Sequence, residues 1–318
     1  MRALAIVSLL FVLALVSVSA YLRLDHSGIG CPEWPACYGL IGAAEEPAPT
    51  VGSTYERLAL EAQEPMSWAT PVHRLVASVL GLLVLAMALI SLRQRRDRLL
   101  SLALLGLTVF LAWLGIYSGG LHSPAVVMGN LGGGFAMLGL LGWMVFRDAR
   151  PRANASNRVR RWVVAALLLL CIQIALGGLT SANFAATACM SVPDCHGTWL
   201  PGSDLTKAFD LSRQHEIGPT GLALGGAERA DIHKLHRLVA AATLLTALLA
   251  GGLAMAGRMG LTAVFVVALV VLEFSVGVAA ILTDLPIGVA VAHNWLAAIL
   301  LLGLLRLFAL CRNRQALL

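Results

Sequence analysis

Eight stretches of the chain are continuously apolar over about 20 residues, the length a helix needs to cross a bilayer. They fall near residues 4–22, 72–92, 99–117, 124–146, 162–181, 235–255, 261–282 and 289–310. None alternates apolar and polar positions, so a closed β-barrel is excluded and helices are expected throughout. The polar punctuation between the runs is uneven. Arg2 precedes the first run, "RQRRDR" (93–98) follows the second and "RDARPRANASNRVRR" (147–161) follows the fourth. Arg258 follows the sixth and "CRNR" (311–314) the eighth. All lie on one side if the helices alternate in direction. The two long connections, 23–71 and 183–234, lie on the other side and carry most of the acids. The positive-inside rule then predicts cytoplasmic termini and outside loops.

Composition agrees with this picture. The 318 residues are 58% hydrophobic and 13% charged, where a soluble domain is about a quarter charged. An all-α integral membrane protein with the lipid bilayer as its solvent is expected. The formal charge of +6 is accounted for by the arginine-rich loops, so nucleic acid is not an expected partner. The first run has two readings: a cleaved signal peptide ending at "VSVSA", or a retained anchor. The anchor is preferred, because it keeps the topology even-numbered.

The chain also repeats itself. "CPEWPACYG" (31–39) matches "CMSVPDCHG" (189–197), and "VHRLVASVLGLLVL" (72–85) matches "LHRLVAAATLLTAL" (235–248). The pairs His73-Arg74 and His236-Arg237 are offset by 163 positions, and the same offset carries Asn130 onto His293. Two pseudo-symmetric four-helix bundles are expected, residues 1–150 and 151–318, joined by the arginine-rich loop. Such duplicated bundles occur in carriers and also build cofactor sites in their cores.

His236 and His293 fall at similar depth, near the outer ends of the sixth and eighth runs. Ionisable groups within membrane helices are costly and usually face a bundle interior or a site. Two imidazoles at equal depth suit the two faces of one haem iron. Interhelical hydrogen bonding is the plainer alternative for buried histidines. Zinc lacks the remaining ligands of a tetrahedral set. Arg74 and Arg237, each beside its histidine, are candidates to meet haem propionates. His233, three residues before His236, is either a supporting group or a loop-end residue. His26, His122, His196 and His215 are expected in outside loops or at helix ends. Cys31/Cys37 and Cys189/Cys195 lie in outside loops, where oxidation is permitted. Local disulfides are preferred over a redox-active or metal-binding role, and Cys171 and Cys311 read as small apolar residues.

At "GIGCPEWPACYG", "HRLVASVLGLLVL", "NFAATACMSVPDCHGTWLP", "LHRLVAA" and "VAHNWLAAILLL", in that order, the chain resembles the haem A synthase family of cytochrome oxidase assembly proteins. The resemblance covers nearly the whole chain. It implies eight membrane helices in two halves, and oxidation of the haem O methyl group to the formyl group of haem A. It implies a haem b in the carboxy-terminal half on His236 and His293, and a substrate haem in the amino-terminal half between two further histidines. The first of those is His73, which becomes the candidate catalytic and iron-ligating residue. It also implies disulfides at Cys31–Cys37 and Cys189–Cys195, residence in the inner (cytoplasmic) membrane, and partners such as a haem O synthase, other oxidase assembly proteins or a second copy of the chain.

Two positions depart from the family pattern. Thr70 stands where a glutamate is expected one turn before His73, and Asn130 stands where the second histidine is expected. An amide is a poor iron ligand, and threonine carries no carboxylate. Glu64 is nine positions before His73, and His122 is two turns, about 12 Å, from Asn130, so neither is a simple replacement. Met128 points to another face. The family activity is therefore the first expectation, and a non-catalytic haem b carrier or assembly factor of the same fold is the second. A duplicated-bundle transporter is the third, since no broken helix with a polar midplane site is evident.

Overall fold

A computed structural model of the chain describes residues 1–24, 68–117, 124–149, 156–183, 185–202, 205–212 and 227–312. Eight long helices dominate it: α1 (Arg2–Leu24), α2 (Ala69–Gln94), α3 (Arg98–Tyr117), α4 (Pro124–Phe146), α5 (Asn157–Ala182), α6 (Ala227–Ala256), α7 (Leu261–Leu282) and α8 (Ile287–Leu310). All eight are long and apolar enough to cross a membrane. The protein is a multi-pass, all-α membrane protein, as the apolar runs predict. Among the described residues the only β pairing is an isolated bridge between Cys195 and Thr198.

The helices overrun the apolar runs where polar residues continue the turn. α6 begins eight residues before its run, through "ERADIHK". Asp231, Ile232 and His233 in that stretch are buried against other protein segments rather than lipid, so hydropathy alone misses them. α5 begins five residues early, where the Ser156 hydroxyl accepts the Val159 N–H at 3.3 Å as an N-cap. Its first turns, "NRVRR", hold arginines that keep their charged heads in water while their stems lie along the helix.

Packing runs in two rings. α1 packs on α2, α2 on α3, α3 on α4 and α4 back on α1; α5, α6, α7 and α8 close a second ring in the same order. The rings meet through α4 against α8, α1 against α8 and α4 against α5. Exchanging α1–α4 with α5–α8 reproduces this set of neighbours, as a two-fold axis along the membrane normal would. The shared core follows α4 and α8, with Leu138, Leu141, Leu300, Leu304 and Leu307 fully buried. Leu75, Leu82 and Leu89 lie at seven-residue spacing on α2 and face outward, where only lipid can cover them.

The two ends of the bundle differ chemically. At one end the α2–α3 turn, the end of α4 and the end of α8 meet: Arg147 pairs with Asp97, Arg96 lies 3.9 Å from Asp148, and Arg312 donates to the Arg147 carbonyl at 3.1 Å. At the other end Tyr21 and Trp68 stack loosely, ring centroids 5.6 Å apart, as interfacial aromatics do. The Arg23 Nε donates to Ser181 Oγ at 3.0 Å, linking α1 to α5 across the two rings.

Candidate functional site

His236 and His293 come from α6 and α8, diagonal members of the second ring. Their imidazoles stand 6.5 Å apart, centroid to centroid, at an interplanar angle of 84°. A metal–imidazole bond is about 2 Å and a ring nitrogen sits about 1 Å from the ring centre. Two axial imidazoles on one metal therefore place their centroids about 6 Å apart. The observed separation fits a bis-imidazole iron.

The flanking helices are shaped around these rings. A Cβ on Gly277 of α7 would lie 2.9 Å from His293 Cε1, and one on Gly177 of α5 would lie 3.3 Å from His236 Cε1. Each histidine thus leans on a glycine of the neighbouring helix, where a side chain would displace the ring. Each also has a polar neighbour. The Gln173 amide nitrogen lies 3.1 Å and 3.2 Å from the two nitrogens of His236, and Gln173 Oε1 is buried without a partner. An atom almost equidistant from both ring nitrogens lies along neither N–H axis, so the amide of Gln173 is a polar contact of the ring and not a hydrogen bond directed at one nitrogen. Glu273 Oε1 lies 3.2 Å from His293 Nδ1, in a contact not aligned as a full hydrogen bond.

Gln173 and Glu273 were missed by the sequence reading. The signal was there for Glu273, which is the one carboxylate within "LTAVFVVALVVLEFSVGVAAIL"; an acid in an otherwise apolar span marks a site. Gln173 carries no such charge, and only its position against His236 distinguishes it.

Arg237 reaches the loop after α5 with both of its Nη atoms. Its Nη1 donates to the carbonyls of Ser191 (2.7 Å) and Asp194 (3.1 Å), and its Nη2 to that of Cys189 (2.7 Å). That loop is closed by a Cys189–Cys195 disulfide with Cα atoms 5.2 Å apart, within the usual range. The arginine therefore fastens the disulfide loop over the outer end of α6, and its Nε–H remains buried and unpartnered. His196, in the same loop, contacts the Ala188 carbonyl at 3.0 Å. His233 is buried, with Nδ1 lacking a partner.

In the first ring, His73 on α2 and Asn130 on α4 occupy the corresponding diagonal helices. His73 is half-buried, Thr70 and Arg74 are buried, and Asn130 is partly buried. Two of the three glycines after Asn130 meet neighbouring side chains: a Cβ on Gly133 would collide with Leu111 of α3, and one on Gly134 would touch Val16 of α1 at 3.7 Å, while one on Gly132 would meet nothing within 4 Å. Cys31, Cys37, His26, Glu64, His122 and His215 lie outside the described residues.

Residues 2–305 match the family described as "Cytochrome oxidase assembly protein". The chain belongs to that family. It is 34% identical to a protein of Shewanella oneidensis named "Heme A synthase", over 94% of this chain and 92% of the relative. A Caulobacter vibrioides protein of the same name is 28% identical over 91% of this chain and 90% of its own length. One from Shouchella clausii is 27% identical, over 70% of this chain and 73% of its own.

Proposed function

We propose that the protein is a haem A synthase-type oxidoreductase, which oxidises the methyl group of haem O to the formyl group of haem A for cytochrome oxidase assembly. The observation that carries the reading is the His236–His293 pair, two imidazoles at axial-ligand separation inside one ring of helices, in a chain of the assembly-protein family. His236 and His293 hold the iron of a haem b, and the glycines opposite them leave the rings free to meet it. That haem, when bound, supplies a one-electron relay. Arg74 and the remaining Nε–H of Arg237 are the cationic donors assigned to propionates. The two rings of helices are copies of one unit, residues 1–150 and 151–318.

The first ring is the substrate side. His73 is the single histidine there at the repeat position, and it orients haem O from one face only. Asn130 offers an amide on the other face, and Thr70 a hydroxyl where a carboxylate is expected. An iron held from one side keeps a coordination position open, which oxygen chemistry needs. The arginine-rich end is cytoplasmic by the positive-inside rule, in the inner membrane, and the haem-binding ends face outward.

The test is direct. The protein is expressed with a haem O source, and the extracted haems are separated. Haem A formed only with the intact chain supports the synthase. Haem b alone, with haem O unchanged, favours the second reading, a haem b carrier or assembly factor, which Thr70 and Asn130 motivate.

A further inference from the structure

Glu273 is a carboxylate in the middle of an apolar helix, one turn before Gly277 on α7. An acid at the centre of a membrane helix is costly to insert, so a partner that offsets the cost is expected. The partner is His293. Oε1 lies 3.2 Å from Nδ1, and the Glu273 side chain is 13% exposed. Oε2 has no partner. Positions 273 and 277 are four apart and so lie on one helical face; α7 presents to a single imidazole both an acceptor and the gap that seats its edge. His236 is treated differently, because its polar neighbour is the neutral amide of Gln173.

We infer that Glu273 is a positioning residue for His293: its carboxylate accepts the Nδ1–H, fixes the tautomer that leaves Nε2 as the metal-binding nitrogen, and makes that imidazole the more electron-rich of the two axial ligands. The inference rests on the haem-ligand assignment of His236 and His293. Carboxylates behind metal-bound histidines orient the ring and raise its basicity. A more basic ligand, beside a negative charge, favours ferric over ferrous iron. The protein thereby holds its haem at a lower midpoint potential than a histidine pair backed by amides alone. Oε1 and Nδ1 stand within hydrogen-bonding distance, and on this inference the bond is aligned when Nε2 carries the metal.

The experiment uses the full-length, haem-loaded protein in detergent or nanodiscs, with Glu273→Gln and Glu273→Asp variants. Redox titration gives the midpoint potential, and electron paramagnetic resonance of the ferric form gives the axial ligand field. Glu273→Gln is expected to keep a low-spin haem, raise the potential by at least a tenfold change in the ferric-to-ferrous ratio, about 59 mV for one electron, and shift the low-spin g-values. An unchanged potential in Glu273→Gln overturns the inference. So does a raised potential with unchanged g-values, which would mean that the charge acts through space and not through His293. If Glu273→Gln loses its haem, restoration by Glu273→Asp supports the carboxylate contact, and failure to restore it overturns it. The underlying assignment fails separately: His293→Ala would then keep the wild-type low-spin spectrum.

Discussion

His236 and His293 are 57 positions apart in the chain, yet their rings meet almost perpendicularly with centroids 6.5 Å apart. The meeting depends on α6 and α8 being diagonal in a four-helix ring, so that both side chains enter the same interior.

Replacing either histidine should remove the low-spin bis-imidazole spectrum. His236→Ala and His293→Ala are each expected to lose it completely in the purified protein. Because the rings stand at 84°, the wild-type ferric spectrum should be of the strongly anisotropic kind that perpendicular imidazoles produce. Optical and paramagnetic resonance spectra check both points, and a low-spin signal surviving His236→Ala would remove that residue from the ligand set.

Gly277→Ala should weaken haem retention more than Gly177→Ala does. The added methyl meets His293 at 2.9 Å in the first case and His236 at 3.3 Å in the second. Overpacking of this kind typically costs about 1–3 kcal/mol, or roughly tenfold to a hundredfold in haem affinity. Haem-to-protein ratios after dilution would reveal the order, and equal retention in both variants would count against the close seating of His293.

Arg237→Lys is expected to loosen the loop almost as much as Arg237→Ala. Three carbonyls at fixed positions need the planar fork of a guanidinium. An ammonium cannot span Ser191, Asp194 and Cys189 together, and each abandoned carbonyl costs about 1–3 kcal/mol where it remains buried. Limited proteolysis around residues 189–198 should quicken in both variants. Cutting as slow as in the wild type would show that the disulfide alone holds the loop.

Asn130→His should let the first ring take a second axial ligand. With His73 retained, a second low-spin haem per chain is expected, most clearly in the double variant with Thr70→Glu. Pyridine haemochrome quantitation measures it. A haem content identical to the wild type would show that the first ring lacks the space or geometry for two-sided ligation.

Cys311 should resist alkylation in the folded protein at pH 7–8. Burial pushes its thiol up to about 11, with Arg160 pulling weakly the other way. The group therefore stays protonated until the pH approaches that value, and its sulfur lies 3.8 Å from Met259 Sδ, shielded from reagent. Maleimide labelling followed by peptide mapping tests this, and rapid modification at neutral pH would contradict it.

Much of this architecture is legible in the chain alone. Apolar length decides the eight spans, because an unpaired backbone cannot exist in hydrocarbon. The 163-residue offset, with "VHRLVA" and "LHRLVA" as its markers, picks out His236 and His293 as equivalent to His73 and Asn130. Helix ends are less legible: the polar first turns of α6 are buried against protein, and hydropathy reports only the preference for lipid. Glu273, Gln173, Gly177 and Gly277 belong to a further class. Their sequence neighbours say what face of a helix they lie on, but not which histidine that face meets. That is decided by the order in which the helices close into a ring and by the rotation of each about its axis, both set by packing between segments distant in sequence. The chain by itself determines the spans, the repeat and the histidine pair. The tertiary structure alone decides that Arg237 fastens the disulfide loop, that one imidazole lies against a carboxylate and the other against an amide, and that the two imidazoles stand 6.5 Å apart.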